Sequence, residues 1–309
     1  MARAARAETR PVSGILLLDK APGLTSNRAL QQTKRLFRAQ KAGHTGTLDP
    51  LATGLLPICL GAATRVTGLM LASNKRYRVT AEFGIATDTG DAAGSVVEQR
   101  ALAELPLSAI ATVLSRFEGR ILQIPPMYSA LKHEGRRLYD LARKGEQVPR
   151  APRPVDIFAI RVEALAWPLL TLFVHCSKGT YIRSLVTDIA TELGALAHVQ
   201  SLRRIGVGPF EEEQMITMEA LEVVAEEGLK ALDSRLLPID AALRDRPMVR
   251  VSAADALALR QGRRIAVDVP EGGPSIRVYD PVGALVGLAE SSGPGELKPS
   301  CIFPVSALG

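Results

Sequence analysis

The apolar positions of this chain fall into short, separable patterns. The run GILLLDKAPG, from Gly14 to Gly23, has the length of a buried strand and closes on a Pro-Gly turn. TSNRALQQTKRLFRAQ follows with helical spacing: Leu30, Thr33 and Phe37 share one side, while Arg28, Lys34, Arg35 and Arg38 point largely elsewhere. Ser26 is read as its N-cap. In KRYRVTAEFG, Tyr77, Val79, Ala81 and Phe83 alternate with Arg76, Arg78, Thr80 and Glu82, which predicts a half-buried strand. Ser108 is read as the cap of a helix with Ile110, Val113, Leu114 and Phe117 on one face, stopped by Gly119. Strands are predicted over 156–163 and 170–177. The second leads through KGTYIR into a helix with Ile182, Leu185, Val186, Ile189 and Leu193 on one face.

The acidic stretch 211–233 reads as helical and solvent-facing, and 246–252 as a boundary. SAADALALRQG predicts a short helix, and three or four short strands with Gly and Pro turns follow it. The pattern as a whole is α+β with a small β-rich C-terminal module.

Composition narrows the class. The chain has 309 residues, 47% hydrophobic and 23% charged, and no apolar run long enough for a bilayer, so a soluble, cytoplasmic, globular protein is expected. Residues 1–11 read as a ragged basic tail rather than a signal peptide. Cys59, Cys176 and Cys301 are odd in number and far apart, which suggests buried free thiols and no disulfide framework. No long exposed apolar helix argues for obligate assembly, so a monomer is expected. The net charge of +6 is unevenly placed: residues 1–50 hold nine basic and three acidic side chains, whereas 211–233 holds eight acids and one lysine. Such polarity can steer a polyanion to one face, although ordinary solvated faces explain the charge count equally well.

Several fragments imitate known chemistry. His44, His133, His175 and His198 lack the i, i+4 spacing of a helical metal site, so no metal centre is expected. Ser129-Ala-Leu-Lys132 fits the S-x-x-K of serine acyl enzymes without their companion motifs. Asp88-Thr89-Gly90 would need a second carboxylate to act as an aspartic protease and reads as a turn. GHTGTLDP lacks the Gly-Lys-Ser/Thr of a phosphate loop. Taken alone, its Asp49 is an Asx turn or a helix cap ahead of Pro50.

The ordered series GHTGTLDPLATGLLPICLGAATR, KRYRV, TDTGD, PPMYSALK and SKGTYIRSL changes that balance. Over roughly residues 12–207 it resembles the bacterial tRNA pseudouridine-55 synthases, the TruB family, which isomerise a uridine in the T-loop of tRNA. The resemblance implies a catalytic domain over 12–246 built on a mixed, mostly antiparallel sheet, with an RNA-binding insertion at about 125–153. A small PUA-like RNA-binding domain would then span 247–309. It also implies tRNA, through its T-arm, as partner, and no cofactor, because the isomerisation has no net redox change and consumes no water.

By the same resemblance Asp49 is the catalytic aspartate. Arg183 is the cation expected to hold it charged, with two donors available to a carboxylate, though a surface arginine is the plain alternative. Tyr77 is expected against the target base, Tyr181 near the acid and Leu202 in the pocket wall. For each of these three, taken alone, core packing explains the residue as well. Both Lys20, which matches a basic position near the active site, and His44, expected to fill the space the flipped base leaves or to hold that nucleotide's backbone, are assigned to RNA contact. The insertion's Lys132, Arg136 and Arg137 would clamp the T-arm. Gly43 and Gly46 are expected to let the motif bend close to RNA. A non-catalytic tRNA-binding or tRNA-folding protein on the same scaffold is the rival reading.

Overall fold

Ten strands form one sheet, and its organisation follows from which of them are apolar on both faces. The structure is a computed structural model that describes residues 8–129, 131–142, 144–268 and 275–304, without the side chains of Lys132, His133 and Arg137. In spatial order the strands are Ile216–Thr217, Gly14–Lys20, Thr53–Leu60, Ala197–Val207, Lys75–Phe83, Leu169–Cys176, Arg153–Ala166 and Gly119–Gln123. Ala42–His44 pairs beside Thr53–Leu60, and Phe210–Glu211 beside Ala197–Val207. Two pairings are parallel, Gly14–Lys20 with Ile216–Thr217 and Thr53–Leu60 with Ala197–Val207, and the others are antiparallel. This is the mixed, mostly antiparallel sheet that the motif series implies.

Two cores sandwich the sheet. On Gly14–Lys20, Leu16 and Leu18 face one core and Ile15 and Leu17 the other; on Thr53–Leu60, Leu56, Ile58 and Leu60 divide from Leu55 and Cys59 in the same way. Helices Ser26–Leu36, Leu107–Phe117, Ile182–Glu192 and Met218–Glu226 cover the first face. The second is covered by the short helical segment 61–71, by Ile239–Leu243 and by Tyr279, Leu285, Leu288 and Phe303 of the C-terminal module. That module is a sheet ordered Met248–Arg250, Ile276–Tyr279, Leu285–Gly293, Glu296–Ile302, Ile265–Ala266. Helix Ala253–Arg260, capped by Ser252, helps to close its own small core.

The structure corrects several local expectations. Thr25, not Ser26, caps the first helix: its side chain accepts from Arg28 N–H at 3.2 Å. Pro106 precedes the helix that starts at Leu107, which leaves Ser108 inside the first turn. The acidic stretch is α-helical only over Met218–Glu226 and Leu229–Asp233, preceded by a 3-10 turn at Glu212–Gln214. Ahead of them, Glu211 and Glu212 are drawn onto the sheet by Arg76 at 2.7 Å and Arg203 at 3.2 Å. Met248–Arg250, read as a boundary, is a fifth C-terminal strand because it pairs in parallel with Ile276–Tyr279. Cys301 is only partly buried, unlike Cys59 and Cys176. Of the basic tail, residues 1–7 lie outside the described residues. Among the described residues no helix is long and apolar enough to cross a membrane.

The register explains why the functional motifs meet. Arg204 lies opposite Gly54 on one side and Tyr77 on the other, at the sheet's centre. Gly54 has φ of +95°, and a Cβ there would stand 2.3 Å from the Arg204 carbonyl oxygen. Gly54→Ala therefore meets both a strained backbone and a rigid obstacle, and should cost about 2–4 kcal/mol of stability in urea unfolding. An unchanged midpoint would mean that the strands part more easily than this register implies.

Candidate active site

Asp49 sits in a loop that its neighbours hold at fixed points. Ser26, the first residue of its helix, is buried, and its hydroxyl accepts from Leu48 N–H at 2.8 Å and donates to the Leu48 carbonyl at 3.1 Å. Lys20, at the end of its strand, donates from Nζ to the carbonyls of Ala21 (2.9 Å), Leu24 (2.8 Å) and Pro50 (3.3 Å). Both residues flanking Asp49 are thereby anchored. Gly46, at φ of +137°, makes the bend that a side chain would resist, whereas Gly43 lies in the strand Ala42–His44 and needs no unusual conformation.

The carboxylate meets Arg183 at 2.9 Å, Oδ2 accepting from Nε. This is a single-donor contact, not the expected fork, because the other nitrogens are taken: Nη1 donates to the Thr89 carbonyl at 2.8 Å and Nη2 to that of Tyr128 at 2.7 Å. Asp91 stands 3.6 Å from the same Nε. Arg183 is 5% exposed, so it is an internal brace rather than a surface arginine. The turn read at Asp88-Thr89-Gly90 supplies one of its acceptors.

Desolvation pushes the Asp49 carboxyl above the usual range; the charges of Arg183 and Lys20 oppose this, and Asp91 adds to it. Burial lowers Lys20 to about 8, with Asp49 pulling it back up and Arg204 repelling it further.

Asp49 opens on a cavity of about 300 Å³. Tyr77, Tyr181, Leu202 and Arg183 all line it, so these four are brought together with the acid. Tyr77 is 8% exposed and lies against the Arg204 guanidinium; burial raises its pKa, which keeps the phenol protonated. Tyr181 precedes the Ile182–Glu192 helix, and Gln123 clamps its backbone, accepting from the N–H at 2.7 Å and donating to the carbonyl at 3.0 Å. Ser129 also faces the cavity, and the side chain of Lys132, its partner in the S-x-x-K reading, lies outside the described residues.

The residues assigned to RNA contact are dispersed. Lys20 is 1% exposed, with its ammonium spent on three carbonyls, so it sits under the Asp49 loop and not on the surface. His44 is half-buried and neutral, its pKa lowered by burial and by Arg204. Arg136 is exposed on the insertion, paired with Glu146 at 3.0 Å. Lys132 and Arg137 pair by backbone in a short hairpin, and their side chains lie outside the described residues.

Sequence reading missed Ser26 as a loop anchor and missed Lys75 and Arg204 as cavity-lining cations. A signal for Arg204 was present: it shares parity with Leu202 on a strand, and so shares its face.

A carboxylate fixed on a buried arginine beside an aromatic-walled cavity is equipped for nucleophilic or acid–base chemistry on a bound ring. The comparisons agree with that class and narrow it. Residues 34–182 match the model of the TruB family pseudouridylate synthase N-terminal domain, 183–244 that of the tRNA pseudouridylate synthase B C-terminal domain, and 247–302 that of the pseudouridine synthase II TruB C-terminal region. The chain is 45% identical over 307 residues to the tRNA pseudouridine synthase B of Chromohalobacter salexigens, covering 99% of each chain. It is 48% identical over 292 residues to that of Ectopseudomonas mendocina, covering 94% of this chain and 95% of the relative. The crystal structure of a Cbf5-Nop10-Gar1 complex contains a similar chain, with a TM-score of 0.73 and 25% identity over 98% of this chain and 89% of that one. The chain belongs to the TruB family of pseudouridylate synthases.

Ser26→Ala would leave the buried Leu48 amide and carbonyl without their partner. It should lower stability by about 1–3 kcal/mol, measured by thermal or urea unfolding. A stability within a few tenths of wild type would show that the loop is held without the hydroxyl.

Proposed function

We propose that this protein is an isomerase that converts uridine 55 in the T-loop of tRNA to pseudouridine, with Asp49 as the reacting group. The observation that carries the reading is the Asp49–Arg183 contact at 2.9 Å on the rim of a cavity that Tyr77, Tyr181 and Leu202 also line. The reaction breaks the bond from ribose C1′ to N1 of the base and remakes it to C5. It needs a carboxylate that is charged when the nucleotide arrives, and a surface on which the detached base can turn.

Each side chain then has a physical task. Arg183 keeps Asp49 charged and aimed against the pull of desolvation. Tyr77 gives the flipped base an aromatic surface in exchange for the stacking it leaves, which costs a few kcal/mol. Leu202 closes the wall and limits water. Tyr181, its backbone fixed by Gln123, places a protonated hydroxyl beside the base. Lys20 supports the reaction from below by holding Pro50 and by adding positive charge near Asp49. His44, Arg136, Lys132 and Arg137 are assigned to the RNA, with the insertion closing over the T-arm. The contacts of Arg136, Lys132 and Arg137 are electrostatic, so tRNA affinity should fall as salt rises.

Asp49→Asn should slow pseudouridine formation on a tRNA transcript by about 10³-fold or more while tRNA affinity stays near wild type. Near-normal turnover would sink the assignment of Asp49. Binding with no product from the wild-type protein would instead favour a tRNA-binding or tRNA-folding role. The pH profile gives an independent check. Activity needs ionised Asp49, whose pKa is raised, so the rate should fall as pH drops through a value above that of an ordinary carboxylate. Arg183→Gln removes a charge that holds the pKa down, and should move this acid limb to still higher pH. A limb that stays in place would separate Arg183 from the ionisation of Asp49.

A further inference from the structure

Among the described residues, two cations in the cavity wall have no acidic partner. Arg204 is 1% exposed, and its guanidinium donates to the carbonyls of Leu55 at 2.7 Å and Gly46 at 3.1 Å. Lys75 is 7% exposed, and its ammonium donates to the carbonyls of Met70, Leu71 and Ser73, the Leu71 contact being 2.7 Å. Their neighbours behave otherwise: Arg203 pairs with Asp19 at 2.8 Å and Glu212 at 3.2 Å, and Arg183 with Asp49. Among the described residues no carboxylate forms an ion pair with Arg204 or Lys75, although burying a cation without a counter-charge is costly. The two side chains converge at Gly46, where a Cβ would stand 3.4 Å from Arg204 Nη1 and 3.9 Å from Lys75 Cε. Both line the cavity that holds Asp49, and Arg204 also lies against Tyr77, the proposed resting surface for the base.

We infer that Arg204 and Lys75 form a cationic wall that stabilises the negative charge carried by the uracil ring while it is detached from the ribose. The inference rests on the isomerase reading above. Whether Asp49 adds to the ring, adds to C1′ or takes a ribose proton, the electron pair of the breaking C1′–N1 bond leaves with the ring and spreads over N1, O2 and O4. After the ring turns, the electron pair at C5 forms the new bond to C1′. C5 then gives up its proton and N1 takes one up, so no atom or electron is gained or lost. Negative charge is therefore largest on the base midway, when fixed cations in the cavity wall act most strongly. Arg204 and Lys75 are positioning residues in this scheme: they act through the field in the cavity and, for Arg204, through the Tyr77 phenol.

The test compares tRNA transcripts carrying uridine or 5-fluorouridine at the target position, in single-turnover reactions that follow loss of the N1-linked nucleoside. Fluorine withdraws electron density and stabilises the departing ring by itself, so a residue that serves this purpose matters less. Lys75→Met should slow the uridine substrate about 10- to 100-fold, with tRNA affinity within about twofold of wild type, and the 5-fluorouridine substrate at least about threefold less severely. Lys75→Arg, which keeps the charge, should recover most of the rate. Arg204→Gln and Arg204→Lys should repeat the contrast, and if either fails to fold the two Lys75 variants decide alone. Equal losses on both RNAs, or a loss confined to tRNA affinity, would overturn the inference and leave Lys75 and Arg204 as braces for the backbone. If wild-type protein converts no uridine, the isomerase reading itself fails, an outcome distinct from equal losses in the variants.

Discussion

The contact between Asp49 and Arg183 is the constraint around which the cavity is assembled. It joins residues 134 positions apart in the chain, one in a loop of the N-terminal half and one in the first turn of a later helix. An ion pair with a buried guanidinium is a poor source of net stability, since desolvating Arg183 offsets much of the attraction to the half-buried Asp49. Its value lies in what the guanidinium does with its other donors. They bind the Thr89 and Tyr128 carbonyls, so a single planar group gathers the Asp49 loop, the turn at Thr89 and the start of the insertion. Asp91, 3.6 Å away, is a second carboxylate for the same cation. Neutralising Asp49 therefore does not leave Arg183 without a counter-charge, and the loss of chemistry can be separated from loss of fold.

The sheet supplies rigidity from beneath. Gly14–Lys20 and Thr53–Leu60 are apolar on both faces, and a strand packed on both sides cannot slip in register without moving both cores. The motif residues grow from the ends of these strands or from the loops they deliver, so the geometry of the site is inherited from the sheet. The same two-sided packing decides where the C-terminal module sits. Tyr279, Leu285, Leu288 and Phe303 share a core with Ile15, Leu17, Leu55 and Val207, which joins that module to the back of the sheet that carries the site. Tyr279 adds a polar tie to Asp240 at 3.1 Å.

What was legible in the sequence follows from these physical conditions. The strand from Lys75 to Phe83 announced itself because one face is wet and the other dry. Thr53–Leu60 gave no alternation to read, since both of its faces are buried. Asp49 and Arg183 could be named only from the whole motif series, because neither residue's local pattern departs from a turn or a surface helix. Lys20 was assigned to RNA contact from the resemblance; its burial depends on the carbonyls of Leu24 and Pro50, whose convergence is a tertiary fact. Ser26 was assigned a capping role by residue type, yet its hydroxyl serves Leu48, 22 residues away. Helix ends read from residue types are placed only to within a residue or two, and local sequence does not say which hydroxyl a distant loop will claim.

The charges around the cavity also set a limit on one another. Arg183, Lys20, Arg204 and Lys75 all favour negative charge in the space they surround, which suits an ionised Asp49, an incoming polyanion and an electron-rich base alike. Crowding cations in a dry site is resisted, however, and the resistance falls on the groups that can lose a proton. Burial lowers Lys20 and Lys75 to about 8 each, and Arg204 repels both. The guanidinium of Arg204, also disfavoured by burial, starts from so high a pKa that it stays charged. Of these four side chains only the two lysines can answer further crowding by releasing a proton, because the two guanidiniums stay charged.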